Sequence, residues 1–120
     1  MTDINSVVVK GRLVRDAEVK DVGDNKVLSF TIANNKGIKK NGEWTEEVSF
    51  FDCKVWNKNP ERFVKGAEVV VSGELHQERW KDKEGHNASR VVINCGLIQY
   101  IGGKVSDHAA SDQGQPEITW

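Results

Sequence analysis

A chain of 120 residues, 38% hydrophobic and 29% charged, can fill one modest core, and no apolar run approaches the roughly 20 residues of a membrane span. The net charge of −1 is unevenly spread: residues 1–106 hold all 17 lysines and arginines against 15 acids, while 107–120 hold Asp107, Asp112 and Glu117 and no base. Such a balance neither demands nor excludes a polyanionic partner. The opening MTDINSVVVKG lacks the basic start and apolar centre of a secretory signal, and Cys53 and Cys95 both fall inside apolar strand patterns. A cytoplasmic chain with reduced, core-packed thiols is expected.

Residues 4–13, INSVVVKGRL, are β-branched and poor in helix formers, and predict a first strand with a bend or bulge at Gly11. Arg15-Asp16-Ala17 turns the chain, and residues 18–22 continue the hairpin. Residues 22–26 are a turn by composition. VLSFTIA, residues 27–33, places Leu28, Phe30 and Ile32 on one face of a second strand. NNKGIKKNG, residues 34–42, is polar, glycine-rich and basic, and predicts an exposed loop whose Lys36, Lys39 and Lys40 either reach phosphates or simply solvate a hairpin tip.

The chain is organised around residues 44–56, WTEEVSFFDCKVW. Side chains of an extended strand alternate between faces, so Val48, Phe50, Asp52, Lys54 and Trp56 share one side while Ser49, Phe51, Cys53 and Val55 share the other. The odd side suits a packed interior, with Phe51 facing either that interior or a subunit boundary. The even side sets two large aromatics around a cation, which is what holding bases by stacking beside their phosphates requires. The rival reading is a protein-binding face anchored by the same rings. Trp44, in the preceding polar loop, needs a cover, and a base is one candidate.

Asn59 as cap, Pro60 at the first helical position and Gly66 at the end predict about two helical turns over residues 59–66. AEVVVSGEL, residues 67–75, is a strong strand with a bend at Gly73, running on through residues 76–81 to a turn at 82–85. Residues 90–100, RVVINCGLIQY, return. The result is a long polar hairpin arm carrying Arg79, Trp80, Lys81 and Lys83 near its tip. The fold class is all-β: five or six strands, one short helix and glycine bends forming a small barrel. From residue 102 onward periodicity is lost, and only Ile118-Thr119-Trp120 stands out, either inert or a docking handle at the end of a disordered acidic tail. His76, His86 and His108 lack metal-ligand spacing with each other or with the cysteines, and no nucleophile set or phosphate-cradling glycine loop occurs. No enzyme, metal or cofactor is expected.

In order along residues 4–103, INSVVVKGRLVRDAEV, LSFTIANN, VSFFDCKVWNK, VKGAEVVVSGEL, ERW and IQYIGG resemble segments of bacterial single-stranded-DNA-binding proteins. The resemblance implies a five-stranded oligonucleotide/oligosaccharide-binding barrel over residues 1–103, a disordered tail over 104–120, and assembly as a homotetramer. It implies sequence-independent binding of single-stranded DNA in replication, recombination and repair, in the cytoplasm with the nucleoid. Stacking falls to Phe50, Trp56 and Trp80, with cations Arg12, Arg15, Lys58, Lys65 and Arg79 beside them. Lys36, Lys54 and Lys81 join from the loop, strand and arm readings. The family's aromatic in the second-strand exit loop is here Ile38, with Trp44 as its substitute from farther along. Replication and repair partners would dock on the tail end through Glu117, Ile118 and Trp120, although EITW only resembles the usual acid-Ile-Pro-Phe tip. The opening strands of two subunits, residues 4–10, would pair as the dimer contact.

Overall fold

The computed structural model describes residues 2–102, so the tail readings at Glu117, Ile118 and Trp120 lie outside the described residues. Six strands follow one another: β1 (Val7–Leu13), β2 (Glu18–Val22), β3 (Asn25–Lys40), β4 (Glu43–Trp56), β5 (Glu68–Lys81) and β6 (Asn87–Gly102). They form one sheet in the order β1-β5-β6-β4-β3-β2, and β1 also pairs with β3, so five strands close a ring and β2 flanks it. This is the expected small barrel.

Closure depends on two glycines. β1 pairs with β5 from Val7↔Gly73 to Arg12↔Glu68, and with β3 at Arg12↔Ala33 and Leu13↔Ile32. It must therefore pass from one neighbour to the other at Gly11. A Cβ at Gly11 would sit 2.6 Å from the Ala33 carbonyl oxygen, so only glycine allows the crossing. At Gly73 a Cβ would meet the Asn94 carbonyl oxygen at 1.9 Å, and the β5–β6 register slips between Ser72 and Gly73. Both predicted bends are thus real, and each has a backbone against its bare face.

The core follows strand alternation. Leu28, Phe30 and Ile32 from β3, Cys53 and Val55 from β4, Val69 and Val71 from β5 and Ile93 from β6 are buried together, with Leu13, Phe63 and Ala67 among them. Phe63 packs on Phe30 with ring centroids 5.3 Å apart. Of the two positions open to Phe51, the structure shows one at the margin of the interior. Phe51 is 37% exposed: its partner Ile32 lies one residue short of Ala33, where the pairing of β3 with β1 ends.

Three expectations change. Strand β1 begins at Val7, and ahead of it the Asn5 side chain continues the ladder. Its Nδ2 donates to the Leu75 carbonyl at 2.8 Å and its Oδ1 accepts from the Leu75 amide at 2.9 Å. The helix over residues 59–66 is a single 3₁₀ turn, Pro60–Arg62, capped by the Asn59 side chain, which accepts from the Glu61 amide. The basic loop over residues 34–42 does not exist as a loop. β3 and β4 stay paired from Val27↔Trp56 to Lys40↔Glu43, and only Asn41 and Gly42, at φ 50° and 82°, make the turn. Two consecutive positive φ values on Asn-Gly are what a tight two-residue hairpin demands. Two arms therefore leave the barrel, the outer part of the β3–β4 ribbon and the outer part of the β5–β6 ribbon.

Candidate nucleic-acid interface

On β4 the even-numbered side chains face outward. Trp44 is 73% exposed, Phe50 64% and Trp56 48%. Trp44 and Trp56 are twelve residues apart on one continuous strand, a track of roughly 40 Å at the rise of an extended chain. Trp80, on β5, is 47% exposed and reaches the same face. Its side is identified by Glu78, two residues earlier, which pairs with Lys54 of β4. Phe50, Trp56 and Trp80 therefore surround a common floor, with Trp44 farther out along the first arm.

Each ring is held by its backbone surroundings. Trp56 is fixed by the residue after it. Asn57 adopts φ 59°, ends β4, donates its amide to the Lys26 carbonyl at 2.8 Å and accepts from the Lys26 amide at 3.0 Å. Nothing in the reading of residues 57–66 singled Asn57 out; an Asn directly after a strand is the signal that was available. Phe50 lies opposite Ala33, whose small side chain leaves the ring uncovered. Trp80 lies opposite Ala88 and is uncovered for the same reason. Trp44 lies over Gly37, with ring atoms within 4.0 Å of where a Cβ would stand, and Lys39 Nζ is 5.9 Å from the ring centroid. Ile38 pairs with Thr45 and so faces the reverse side. Trp44 thus shares the face of the other rings in a way Ile38 does not.

The floor between the rings is a closed set of charges. Lys54 donates to Glu78 Oε2. Arg90 of β6 reaches Glu78 Oε1 at 3.1 Å through Nε and Asp52 Oδ2 at 3.5 Å through Nη1. Asp52 Oδ1 in turn accepts from the Thr31 hydroxyl at 2.7 Å. Hydrogen bonding from Lys54, aided by Arg90, holds the Glu78 carboxyl below its ordinary range against the opposing effect of desolvation. Arg90 was not among the expected site residues. Its signal is indirect: the tight 82–86 turn places it opposite Glu78 in the hairpin register.

The remaining expected cations are dispersed. Arg79 and Lys81 alternate with Trp80 and so point to the reverse of the arm, where Arg79 Nη2 donates to Gln77 Oε1 at 2.8 Å. Lys36 stands opposite Glu47 on the reverse face of its ribbon. Arg12 donates to the Gly66 carbonyl at 3.0 Å and to Glu68 at 3.3 Å. Arg15 and Lys65 are exposed on two connections that touch, since the Lys65 amide donates to Asp16 Oδ1 at 2.8 Å. Lys58 borders a cleft of about 240 Å³ shared with Phe63, Val69, Ile98 and Tyr100, where the Arg62 guanidinium stacks 5.2 Å from the Tyr100 ring centroid. The structure thus places the aromatics on one face and most of the cations away from it. Among the described residues, no group of three or more His, Cys, Asp or Glu side chains is placed to hold a metal ion.

Comparison with known proteins adds the following. The family model described as "Single-strand binding protein family" matches residues 4–101. A Treponema pallidum protein called "Single-stranded DNA-binding protein" is 38% identical over 96% of this chain and 68% of its own length. A protein of the same name from Borreliella burgdorferi is 44% identical over 82% of this chain and 70% of its own length. Among solved structures, a chain from "Plasmodium falciparum SSB complex with ssDNA" superposes with a TM-score of 0.76, covering 84% of this chain and 97% of that one. At 19% identity this last likeness carries the fold alone, the oligonucleotide/oligosaccharide-binding barrel.

Proposed function

Because the chain belongs to the single-strand binding protein family, we propose that it binds single-stranded DNA without regard to sequence, by stacking bases on Phe50, Trp56 and Trp80. The observation that carries this is the exposure of all three rings on one face of a barrel that buries Phe30 and Phe63 in its core. Every base has a flat face, so stacking tolerates any sequence, at about 1–3 kcal/mol per base. Trp44 extends the track along the first arm. The marginal cations Lys36, Lys58, Arg79 and Lys81 meet phosphates that pass over the edges, so affinity falls with salt. Lys54 adds its charge only in exchange with Glu78. Arg12, Arg15 and Lys65 form a separate basic patch at the 3₁₀ turn, suited to a strand wrapping onward.

The action is equilibrium binding, which protects exposed strands during replication, recombination and repair in the cytoplasm. A homotetramer is the assembly we favour. Val7–Leu13 presents an unpaired edge beyond its short contact with β3, and Val8 and Leu97 are exposed on the outer face of the β1-β5-β6 wall, which offers an apolar contact for further copies. The end of the chain, with Glu117, Ile118 and Trp120, recruits replication and repair proteins.

Titration with oligothymidylate, read by tryptophan fluorescence, tests the proposal. Quenching that is reversed by salt and poorly competed by duplex DNA supports it. No complex and an unchanged spectrum would overturn it in favour of a protein-binding face. Removing residues 107–120 tests the tail: DNA affinity is retained or slightly raised, while capture of repair proteins is lost.

A further inference from the structure

We infer that Glu78 and Asp52 act as internal stand-ins for phosphate on the aromatic face, occupying its two central cations and so setting how tightly, and how salt-sensitively, this face holds a nucleic acid. The inference rests on the function proposed above. Lys54 and Arg90 are the cations lying among Phe50, Trp56 and Trp80, and neither is free. Glu78 receives both, one on each carboxylate oxygen, and Asp52 receives Arg90 a second time. Two positive and two negative charges thus make the floor neutral. A carboxylate offers a guanidinium or ammonium the same planar pair of acceptors that a phosphate does. A backbone phosphate crossing the floor must therefore displace a carboxylate or settle beside it.

The four side chains are open enough for such an exchange. Lys54 is 27% exposed, Glu78 22%, Asp52 41% and Arg90 46%. Asp52 is also anchored from beneath by the nearly buried Thr31 hydroxyl, so it keeps its place when Arg90 moves. The rival explanation is a purely structural tie. β4 and β6 share only the parallel pairs Cys53↔Ile93 and Lys54↔Asn94, and the ion cluster strengthens that short seam. The two explanations predict opposite signs. Loss of a structural tie weakens DNA binding, whereas loss of a competitor strengthens it.

The test uses the full chain and its Glu78→Gln and Asp52→Asn variants, titrated with oligothymidylate at several salt concentrations. Asp21→Asn, on exposed β2 away from this face, serves as the control for net charge. Removing a unit negative charge about 5 Å from a bound phosphate, at an effective dielectric between 40 and 80, strengthens binding by roughly 4- to 20-fold. Glu78→Gln should show this gain at low salt, with log affinity falling more steeply against log salt by about 0.7 for each cation released. Asp52→Asn should give a smaller gain, and Asp21→Asn less than twofold. Glu78→Gln or Asp52→Asn binding no better than the parent, with the parent still quenched by DNA, would overturn the inference and leave the proposed function standing. A parent that fails to bind DNA would overturn both. If Glu78→Gln does not fold, Asp52→Asn alone decides, by a gain or by none.

Discussion

Replacing Trp80 by alanine separates stacking from charge more cleanly than any other single change. The ring stands on the second arm opposite Ala88 and outside the buried cluster, so its removal leaves the barrel core untouched. It is 47% exposed, so about half of the ring's roughly 200 Å² is already in contact with the arm. Losing that contact costs at most about 2.5 kcal/mol of local stability, felt as fraying at the hairpin. Binding loses one base stack, about 1–3 kcal/mol, or roughly 5- to 150-fold in affinity. Stacking releases no counterions, so the ratio of parent to variant affinity should hold steady between 50 and 200 mM salt. Lys81→Ala provides the contrast, with a few-fold loss and a salt slope shallower by about 0.7. Fluorescence anisotropy of a labelled oligothymidylate measures both. If Trp80→Ala costs no more than Lys81→Ala, or if its loss disappears as salt rises, the energetic weight lies in charge and the stacking argument fails.

Three further outcomes follow from the same structure. Gly73→Ala pushes a methyl into the Asn94 carbonyl and Cys95 Cα, two backbone positions that cannot turn aside, so the urea midpoint should fall by the equivalent of about 1–3 kcal/mol or more; an unchanged midpoint would contradict the bulge geometry. Hydrogen bonding with Cys95 and burial push the Cys53 thiol up, while the same bond holds Cys95 below the usual thiol range. A thiol reagent at neutral pH should therefore label Cys95 first, and peptide mapping that finds Cys53 labelled first would refute this. Glu78 is depressed chiefly by Lys54, so its ion pairs stabilise the fold above the ordinary carboxylate range, near pH 4.3, and are lost as pH falls through the lowered value. Lys54→Met should move that acid loss to higher pH in urea denaturation between pH 6 and 2, and an unmoved profile would contradict the pairing.

Much of the barrel can be read directly from residue order, because alternation of apolar side chains is a local signal. Leu28-Phe30-Ile32 and Val69-Val71 point inward as their spacing requires, and Gly11 and Gly73 mark real close approaches. The β3–β4 arm was hidden because residues 34–42 carry no apolar stripe. A solvated ribbon needs none, and only the Asn41-Gly42 pair announced its turn. The three exposed rings were legible as large aromatics on an otherwise polar strand and arm. The charge cluster was not, because Thr31, Asp52, Glu78 and Arg90 meet only through the registers of four strands far apart in the chain. For the same reason Lys54 looks like a free phosphate ligand in the sequence and is an occupied one in the fold. Whether Phe51 packs inside was not legible, because alternation indicates which side a residue faces but not where the wall ends.

Base stacking on the exposed rings requires that they hold bases more than phosphates. It is tested most directly by comparing an oligothymidylate with an abasic strand of equal length and equal charge. The account predicts that the abasic strand binds at least tenfold more weakly at moderate salt and leaves tryptophan fluorescence nearly unquenched. Equal affinity for the two strands would contradict it.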